Sequence, residues 1–265
     1  MSFSIDGKTA IVTGAANGVG LAIGRHFLEQ GANVVFADMD EDRLRSEVDL
    51  GDGEGPARIF SCDLRQKLSI ANLLSATMDA FERVDILVNA ARQMAISDPL
   101  DPENDAVEEL LQQNLIAALR LSQATAKKMI KQAGDGDGPA GSIINLSSIA
   151  ARRTMPELLG YSISTAALDQ MTRSLAVALA PKRIRVNAVA FGSVMSASLK
   201  DALSENRDYR DDIVGHTPLH RIASPEEVSS AVQYLASDAS SFVTGQIITV
   251  DGGRTLIDPV AAPAH

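Results

Sequence analysis

The sequence predicts an α/β fold in which helices cover both faces of a mostly parallel, seven-stranded sheet. Short apolar runs alternate with longer amphipathic stretches from the start of the chain, which is the pattern of repeated β-α-β units. A glycine-rich turn joins the first apolar run to the first amphipathic stretch. The chain has 265 residues, of which 45% are hydrophobic, and this is enough for one large core. We therefore expect a single domain over residues 1–265.

The seven strands are rich in β-branched residues or leucine and are bounded by glycine, aspartate, asparagine or charged residues. They are predicted at Thr9–Thr13, Asn33–Ala37, Ala57–Ser61, Val84–Asn89, Ser142–Leu146, Arg185–Ala190 and Gln246–Val250. Helices are predicted between them at Gly18–Gln30, Glu41–Leu50, Gln66–Phe81, Pro102–Gln132, Tyr161–Ala180 and Pro225–Ser237. Pro102 and Pro225 fall in first turns, where a helix needs no backbone N–H.

Composition excludes several classes of partner. There are 34 acidic and 24 basic residues, so the formal net charge is −10. A protein that binds nucleic acid or anionic membranes normally carries a basic stripe, and Lys127-Lys128 and Arg152-Arg153 are too short to form one. No apolar run approaches the roughly 18 residues of a membrane span. We therefore expect no nucleic-acid partner and no membrane partner.

The cysteine and histidine content argues against disulfides and metals. Cys62 is the single cysteine, so the chain has no internal disulfide, and no apolar signal region begins it. These features predict a cytoplasmic location. The four histidines show no metal-ligand spacing with one another or with Cys62, so we expect no metal site.

The first candidate site is the segment Thr13-Gly14-Ala15-Ala16-Asn17-Gly18-Val19-Gly20 between the first strand and the first helix. Its glycines permit a tight turn and let backbone N–H groups and the helix N-terminus approach a pyrophosphate. The expected contacts are Gly14, Asn17, Gly18, Val19 and Gly20. The alternative is a plain glycine-rich turn, since Ile23 replaces the third glycine of the G-x-G-x-x-G pattern.

Two aspartates follow the next strands. Asp38 ends the second strand about 20 residues after the loop, where a carboxylate accepts both ribose hydroxyls of NAD and repels a 2′-phosphate. No Arg or Lys lies in residues 15–19, so NAD(H) is preferred over NADP(H). The alternative is that Asp38 only caps the next helix. Asp63, just after the third strand, is placed to reach the adenine amino group.

Ordered motifs along nearly the whole chain resemble the short-chain dehydrogenase/reductase family. Thr13–Gly20 matches T-G-x-x-x-G-x-G, the cofactor loop of that family. The further matches are Asp85–Asn89, Asn114, Gly141–Ser148, Tyr161, Ile184–Asn187, Thr244–Gln246 and Val250–Gly253. The resemblance implies a Rossmann-type doubly wound sheet of order 3-2-1-4-5-6-7 and self-association, as a homotetramer or homodimer.

The resemblance also implies an NAD(H)-dependent oxidoreductase that moves a hydride between the nicotinamide and a secondary alcohol or ketone. Tyr161 would exchange the proton on the substrate oxygen and contact the cofactor, Ser148 would hydrogen-bond that oxygen, and Asn114 would hold a water in the proton relay. The remaining cofactor contacts implied are Leu64, Asn89, Ala90, Gly192, Val194 and Ser196. Alternatively, Ser148 belongs to a simple turn and Tyr161 is a core or interface aromatic.

Three departures from the family pattern cluster near the expected nicotinamide position. Thr165 stands where Y-x-x-x-K has its lysine, Arg92 replaces the glycine of N-N-A-G, and Phe191 replaces the proline of P-G. A phenol without a nearby positive charge is almost fully protonated at neutral pH, so oxidation of alcohols suffers more than reduction. Arg92 either supplies the missing charge or grips an acidic substrate, or else it points to solvent or pairs with Asp98.

The sequence is therefore compatible with two functions. One is an active dehydrogenase or reductase, slow or biased towards reduction because of Thr165. The other is a catalytically impaired NAD-binding or regulatory protein. The long segment at about 191–222 is turn-rich and is expected to form a lid that helps to set substrate specificity.

Overall fold

The computed structural model describes residues 2–51, 53–195, 199–200, 203–204, 206 and 208–258. Their strands form one sheet of seven parallel members in the order β3-β2-β1-β4-β5-β6-β7, which confirms the predicted topology. The strands are β1 (Thr9–Thr13), β2 (Asn33–Asp38), β3 (Ala57–Ser61), β4 (Ile86–Asn89), β5 (Gly141–Ser148), β6 (Ile184–Phe191) and β7 (Ile247–Val250).

Central strands are buried on both faces, which explains their nearly continuous apolar sequence. Every residue of β1 and of β4 is buried. These two strands pair with each other, and the chain winds outwards from them in opposite directions. A crevice at their carboxyl ends is the usual ligand site of such a sheet.

Helices cover both faces. They are α1 (Gly18–Glu29), α2 (Glu41–Glu47), α3 (Lys67–Phe81), α4 (Val107–Leu110), α5 (Ala117–Ala133), α6 (Leu159–Leu179), α7 (Asp208–Gly215) and α8 (Pro225–Ala236). Phe27 of α1 and Val232 of α8 belong to one core cluster, and Leu73 of α3, Leu121 of α5 and Ala176 of α6 belong to another. Within the described residues, no helix has the length and apolar character that crossing a membrane requires. The cytoplasmic location stays a prediction.

The helix predicted at Pro102–Gln132 starts late and is interrupted. It begins at Val107, and a π-helical turn over Leu111–Ile116 separates α4 from α5. The prediction for residues 102–106 was wrong because side chains there bond the backbone locally. Asp101 accepts a hydrogen bond from the N–H of Glu103 at 3.0 Å, a turn that competes with the helix.

The predicted lid is described in part. Its first residues, Phe191–Met195, return towards Ala223 through a bridge from Val194, and α7 is a helix that the turn-rich sequence did not predict. Residues 196–198, 201–202, 205 and 207 of the segment, Ser196 among them, lie outside the described part of the chain. The role of the segment as a lid stays a prediction.

Candidate active site

A cleft of about 740 Å³ lies at the carboxyl ends of the strands, where the strand order reverses. Its size is within the usual range for cofactor and substrate sites. The predicted residues that line it are Gly14, Asn17, Gly18, Val19, Gly20, Asp38, Leu64, Ala90, Tyr161, Gly192 and Val194. The fold thus brings the glycine-rich loop, Asp38 and Tyr161, which are far apart in sequence, to one cleft.

The glycine-rich loop is packed tightly against the segment after β4. Gly14 has a φ of +63°, and a Cβ there would lie 2.7 Å from the carbonyl oxygen of Ala90, so only glycine fits. Within the described chain, Asn17 at the N-cap of α1 makes no side-chain hydrogen bond to the helix, and the first turn holds no acidic residue. The first N–H groups of α1 therefore stay available to an anion in the cleft.

Thr13 holds the loop and the segment after β4 together, a role that the sequence did not indicate. Its hydroxyl accepts hydrogen bonds from the N–H groups of Ala90 and Ala91, both at 3.0 Å. The side chain is 1% exposed. The pairing of β1 with β4 could have indicated this role, because it places Thr13, at the end of β1, beside Ala90 and Ala91, which follow β4.

Asp38 faces the glycine-rich loop at the end of β2. One carboxylate oxygen accepts from the N–H of Ala16 at 3.1 Å, and the other accepts from Met39 at 2.7 Å and Asp40 at 3.2 Å. The cap of α2 is Asp40, which accepts from the N–H of Arg43, so the alternative role of Asp38 as a helix cap does not hold. Asp38 is thus a carboxylate fixed in the wall of the cleft.

The residues after β3 contribute a cation that the sequence analysis missed. Arg65 lines the cleft, and its guanidinium binds both carboxylate oxygens of Asp63 at 2.9–3.1 Å. These hydrogen bonds lower the pKa of Asp63. Burial, together with Asp38 and Asp63, raises the pKa of the neighbouring Cys62 thiol to about 12. The predicted contact of Asp63 with adenine stays a prediction.

Asn89 supports the cleft from below. Its amide nitrogen donates to Ser122 at 2.9 Å and to Asn145 at 2.8 Å, and Asn145 donates onward to Thr172. All four side chains are buried. The network ties β4, β5, α5 and α6 together beneath the catalytic candidates.

Tyr161, in the first turn of α6, is 4% exposed and lines the cleft. Its hydroxyl oxygen accepts a hydrogen bond of 2.8 Å from Nη1 of Arg92. The Arg92 guanidinium also stacks on the Phe191 ring, with 4.2 Å from Cζ to the ring centroid. Of the alternatives for Arg92, the structure therefore supports a positive charge beside Tyr161. None of the ion pairs between described residues joins it to Asp98.

The Thr165 side chain bonds the backbone of α6 and not the Tyr161 hydroxyl. It is 2% exposed, and its hydroxyl lies 2.8 Å from the carbonyl oxygen of Tyr161 and 3.2 Å from that of Ser162. The hydroxyl is thus used inside α6, one turn from the tyrosine, where the family pattern has a lysine.

Asn114 lies in the π-helical turn, and its side chain is fully engaged. The amide oxygen accepts from the N–H of Gln93 at 2.8 Å, and the amide nitrogen donates to the carbonyl of Gln93 and to Ser164. Asn114 therefore anchors the segment next to Arg92 onto α6. Its role in holding a water stays a prediction.

Ser148, the last residue of β5, is 7% exposed and begins the turn that leads towards α6. Its oxygen accepts from the N–H of Ala150 at 3.1 Å. The turn named as the alternative for Ser148 is therefore present. Because the serine oxygen is only an acceptor in this turn, its O–H can still donate a hydrogen bond to another group.

A second cavity, of about 580 Å³, lies between α3 and α5. Its lining contains the cations Lys67, Arg120, Lys127, Lys128 and Lys131. The sequence shows only short basic pairs, because the residues meet through helix packing. The absence of a nucleic-acid partner stays a prediction.

Comparison with known proteins places these features in context. A family model described as enoyl-(acyl carrier protein) reductase matches residues 14–255. The 7alpha-hydroxysteroid dehydrogenase of Escherichia coli (strain K12) is 33% identical over 253 residues, which are 94% of each chain. The 3-oxoacyl-[acyl-carrier-protein] reductase FabG of Thermotoga maritima is 33% identical over 256 residues, 95% of this chain and 99% of that one.

Solved structures give the same result. A 7 alpha-hydroxysteroid dehydrogenase complexed with NADH and 7-oxo glycochenodeoxycholic acid superposes with a TM-score of 0.86 at 32% identity, covering 95% of both chains. A gluconate 5-dehydrogenase from Burkholderia cenocepacia in complex with NADP and tartrate gives 0.85 at 28% identity, covering 97% of this chain and 98% of that one. With the topology and the cleft described above, these matches show that the chain belongs to the short-chain dehydrogenase/reductase family, whose related members are dehydrogenases and reductases acting with nicotinamide cofactors.

Proposed function

We propose that the protein is an NAD(H)-dependent oxidoreductase that interconverts a secondary alcohol and a ketone, with Tyr161 as proton donor and acceptor. The observation that carries the proposal is the buried Tyr161 hydroxyl, held by a guanidinium in the same cleft as an open helix N-terminus and Asp38. An inert scaffold needs no charge on a buried phenol.

The cleft fits a nicotinamide dinucleotide. Gly14 and Gly20 let the loop pack closely, because a Cβ at either position would collide with backbone. The compact turn leaves the first N–H groups of α1 open to a pyrophosphate. Asp38 supports binding of the adenosine ribose, and Gly192 and Val194 line the end nearer Tyr161. When bound, the nicotinamide supplies or accepts the hydride.

In reduction, Tyr161 gives its phenolic proton to the carbonyl oxygen as a hydride adds to the carbonyl carbon. The C=O π pair becomes the new O–H bond, and the phenolate that remains regains a proton from solvent. Ser148 donates a hydrogen bond to the same oxygen as negative charge develops there. Asn114 keeps the Arg92 segment in place on α6.

Asp38 supports a preference for NAD(H) over NADP(H). Its carboxylate is fixed by three backbone N–H groups, and Met39, which follows it, brings no cation to a 2′-phosphate. The cation in this wall, Arg65, is bound to Asp63. The preference is measured by calorimetry as the Kd for NADPH divided by the Kd for NADH. We expect Asp38→Ser to lower this ratio at least tenfold. An unchanged ratio would contradict the preference.

We also propose that the chain forms a homo-oligomer. Strand β7 is the half-exposed edge of the sheet, and large apolar side chains flank it, with Phe242 102% and Leu256 86% exposed. A second copy would cover this surface. Light scattering after size-exclusion chromatography should give a multiple of 28.0 kDa, reduced by Phe242→Asp. A wild-type monomer at micromolar concentration would contradict this proposal.

The test of function combines binding and turnover. Titration of NADH should saturate one site per chain, and a panel of ketones should contain substrates whose reduction consumes NADH. We expect Tyr161→Phe to bind NADH normally and to lose about 10²–10⁴-fold in kcat. Binding without turnover in the wild type, with activity appearing in Thr165→Lys, would instead mark an impaired NAD-binding protein.

A further inference from the structure

We infer that Arg92 is a catalytic residue of this protein, and that its guanidinium provides beside the Tyr161 hydroxyl the positive charge that α6 lacks at Thr165. The inference deepens the proposed function and rests on it. Arg92 comes from the segment after β4 and reaches the phenol from across the cleft, not from one turn along the same helix.

The contact has the geometry of a charged hydrogen bond. Nη1 of Arg92, an exposed residue at the edge of the cleft, lies 2.8 Å from the phenolic oxygen of the buried Tyr161. An arginine side chain keeps its proton at every pH at which the enzyme works and can only donate. The contact therefore places a positive charge at the oxygen that gives up a proton in ketone reduction and takes one up in alcohol oxidation.

Arg92 is held for this contact. Its guanidinium stacks on Phe191, which is 4% exposed, and Nη1 also lies 3.5 Å from the carbonyl oxygen of Ser147. Asn114 clamps the next residue, Gln93, through two backbone hydrogen bonds of 2.8 and 2.9 Å. Two positions that depart from the family pattern, Arg92 and Phe191, thus contact each other, and both serve Tyr161.

Other charged groups do not substitute for Arg92. Among the described residues, the other charged side chains that line the cleft are Asp38, which ends β2, and Arg65, which follows β3. The segment that carries Asp98 and Asp105 contacts Gly160 at the start of α6. Other titratable side chains on or beside α6 include Glu108 and Glu109 of α4, Arg152, Arg153 and Glu157 of the chain between β5 and α6, and Asp169 of α6 itself. All the variants compared in the tests keep these groups. Their electrostatic effects on Tyr161 are therefore the same in each variant and do not contribute to the differences measured.

The first test reads the phenol directly and needs no substrate. The chain has three tyrosines and no tryptophan, so phenolate absorbance is not obscured by indole. The spectrum of the wild type minus that of Tyr161→Phe, followed against pH, isolates Tyr161. The same difference is measured in an Arg92→Gln background, with circular dichroism verifying the fold at each pH. We expect the difference spectrum of Tyr161 to change in the Arg92→Gln background, because the phenolic oxygen loses a charged hydrogen-bond donor. An unchanged difference spectrum would overturn the inference.

The second test is kinetic. Arg92→Gln should lower kcat for alcohol oxidation about 10²-fold with the KM for NAD changed less than threefold, and Arg92→Lys should retain most of the activity. Thr165→Lys introduced into Arg92→Gln should restore at least tenfold. Arg25→Gln, which removes an exposed guanidinium from α1, is the matched control and should behave as the wild type.

The outcomes separate this inference from the proposed function. A rise in the KM of acidic substrates alone, with kcat unchanged in Arg92→Gln, would make Arg92 a substrate-binding residue and overturn the inference. Loss of turnover in Tyr161→Phe together with full turnover in Arg92→Gln would overturn it and leave the proposed function intact. Full turnover in Tyr161→Phe would overturn the proposed function, and the phenolate spectrum would still report on the Arg92 contact.

Discussion

Thr13→Val tests whether one buried hydroxyl holds the two halves of the cleft together. Valine has the same shape and suits a strand, so the change removes the hydroxyl with little change in packing. The N–H groups of Ala90 and Ala91 each lose a 3.0 Å hydrogen bond, and both belong to the segment that carries Arg92. The carbonyl of Val88, 3.4 Å from the hydroxyl, loses a weak donor.

The expected loss follows from counting these groups. A buried donor left without a partner costs about 1–3 kcal/mol, and Ala91 is the less buried of the two. Allowing for partial access of water to Ala91, we expect the free energy of unfolding to fall by about 3 kcal/mol. For a chain of this size that corresponds to a decrease of about 6–12 °C in Tm.

The assay is thermal and urea denaturation followed by circular dichroism, at one protein concentration for all variants. Thr77→Val is the matched control, because Thr77 is equally buried but its hydroxyl only donates to the carbonyl of Leu73 inside α3. We expect that control to lose less than about 1 kcal/mol. Equal effects of the two substitutions would refute the role assigned to Thr13.

Two further predictions concern titration. Arg221 and the Ser224 backbone N–H lower the pKa of Glu227 to about 2, below its usual 4.5, so its stabilising contribution is present above pH 4.5 and is lost as pH falls through 2. The difference in Tm between the wild type and Glu227→Gln should therefore be largest near neutral pH and vanish towards pH 2; a constant difference would count against the capping role. The Cys62 thiol, with a pKa of about 12, should resist iodoacetamide at pH 8 in the native protein and react in urea, as mass spectrometry can measure. Rapid native alkylation would contradict its burial.

Local signals predicted most of the fold. The glycine-rich loop and Asp38 are specified by spacing along one β-α-β unit, so the sequence places them correctly. The start of α4 was missed because Asp101 bonds a neighbouring N–H and competes with the helix. Residues 111–116 form a π-helical turn that no periodicity indicates.

The features of the site that escaped prediction depend on tertiary contacts. The Thr13 hydroxyl bonds β4 at Val88, 75 residues along the chain, and the residues just after it. The sequence does not show which hydroxyl faces which N–H. The direction of Arg92 was left open because it is decided by the position of the Phe191 ring, on another strand. Thr165 was noted as a missing lysine, but only the structure shows its hydroxyl bonded within α6.

The central claim is that a hydride passes between a nicotinamide and a carbonyl carbon while Tyr161 handles the proton. The most direct measurement is a single turnover with NADH carrying deuterium at the transferred position, with the product examined by mass spectrometry. We expect deuterium on the carbinol carbon, and a rate about 10²–10⁴-fold lower in Tyr161→Phe at unchanged NADH affinity. Absence of deuterium transfer in NADH-saturated wild-type protein across the ketone panel, or an equal rate in Tyr161→Phe, would contradict it.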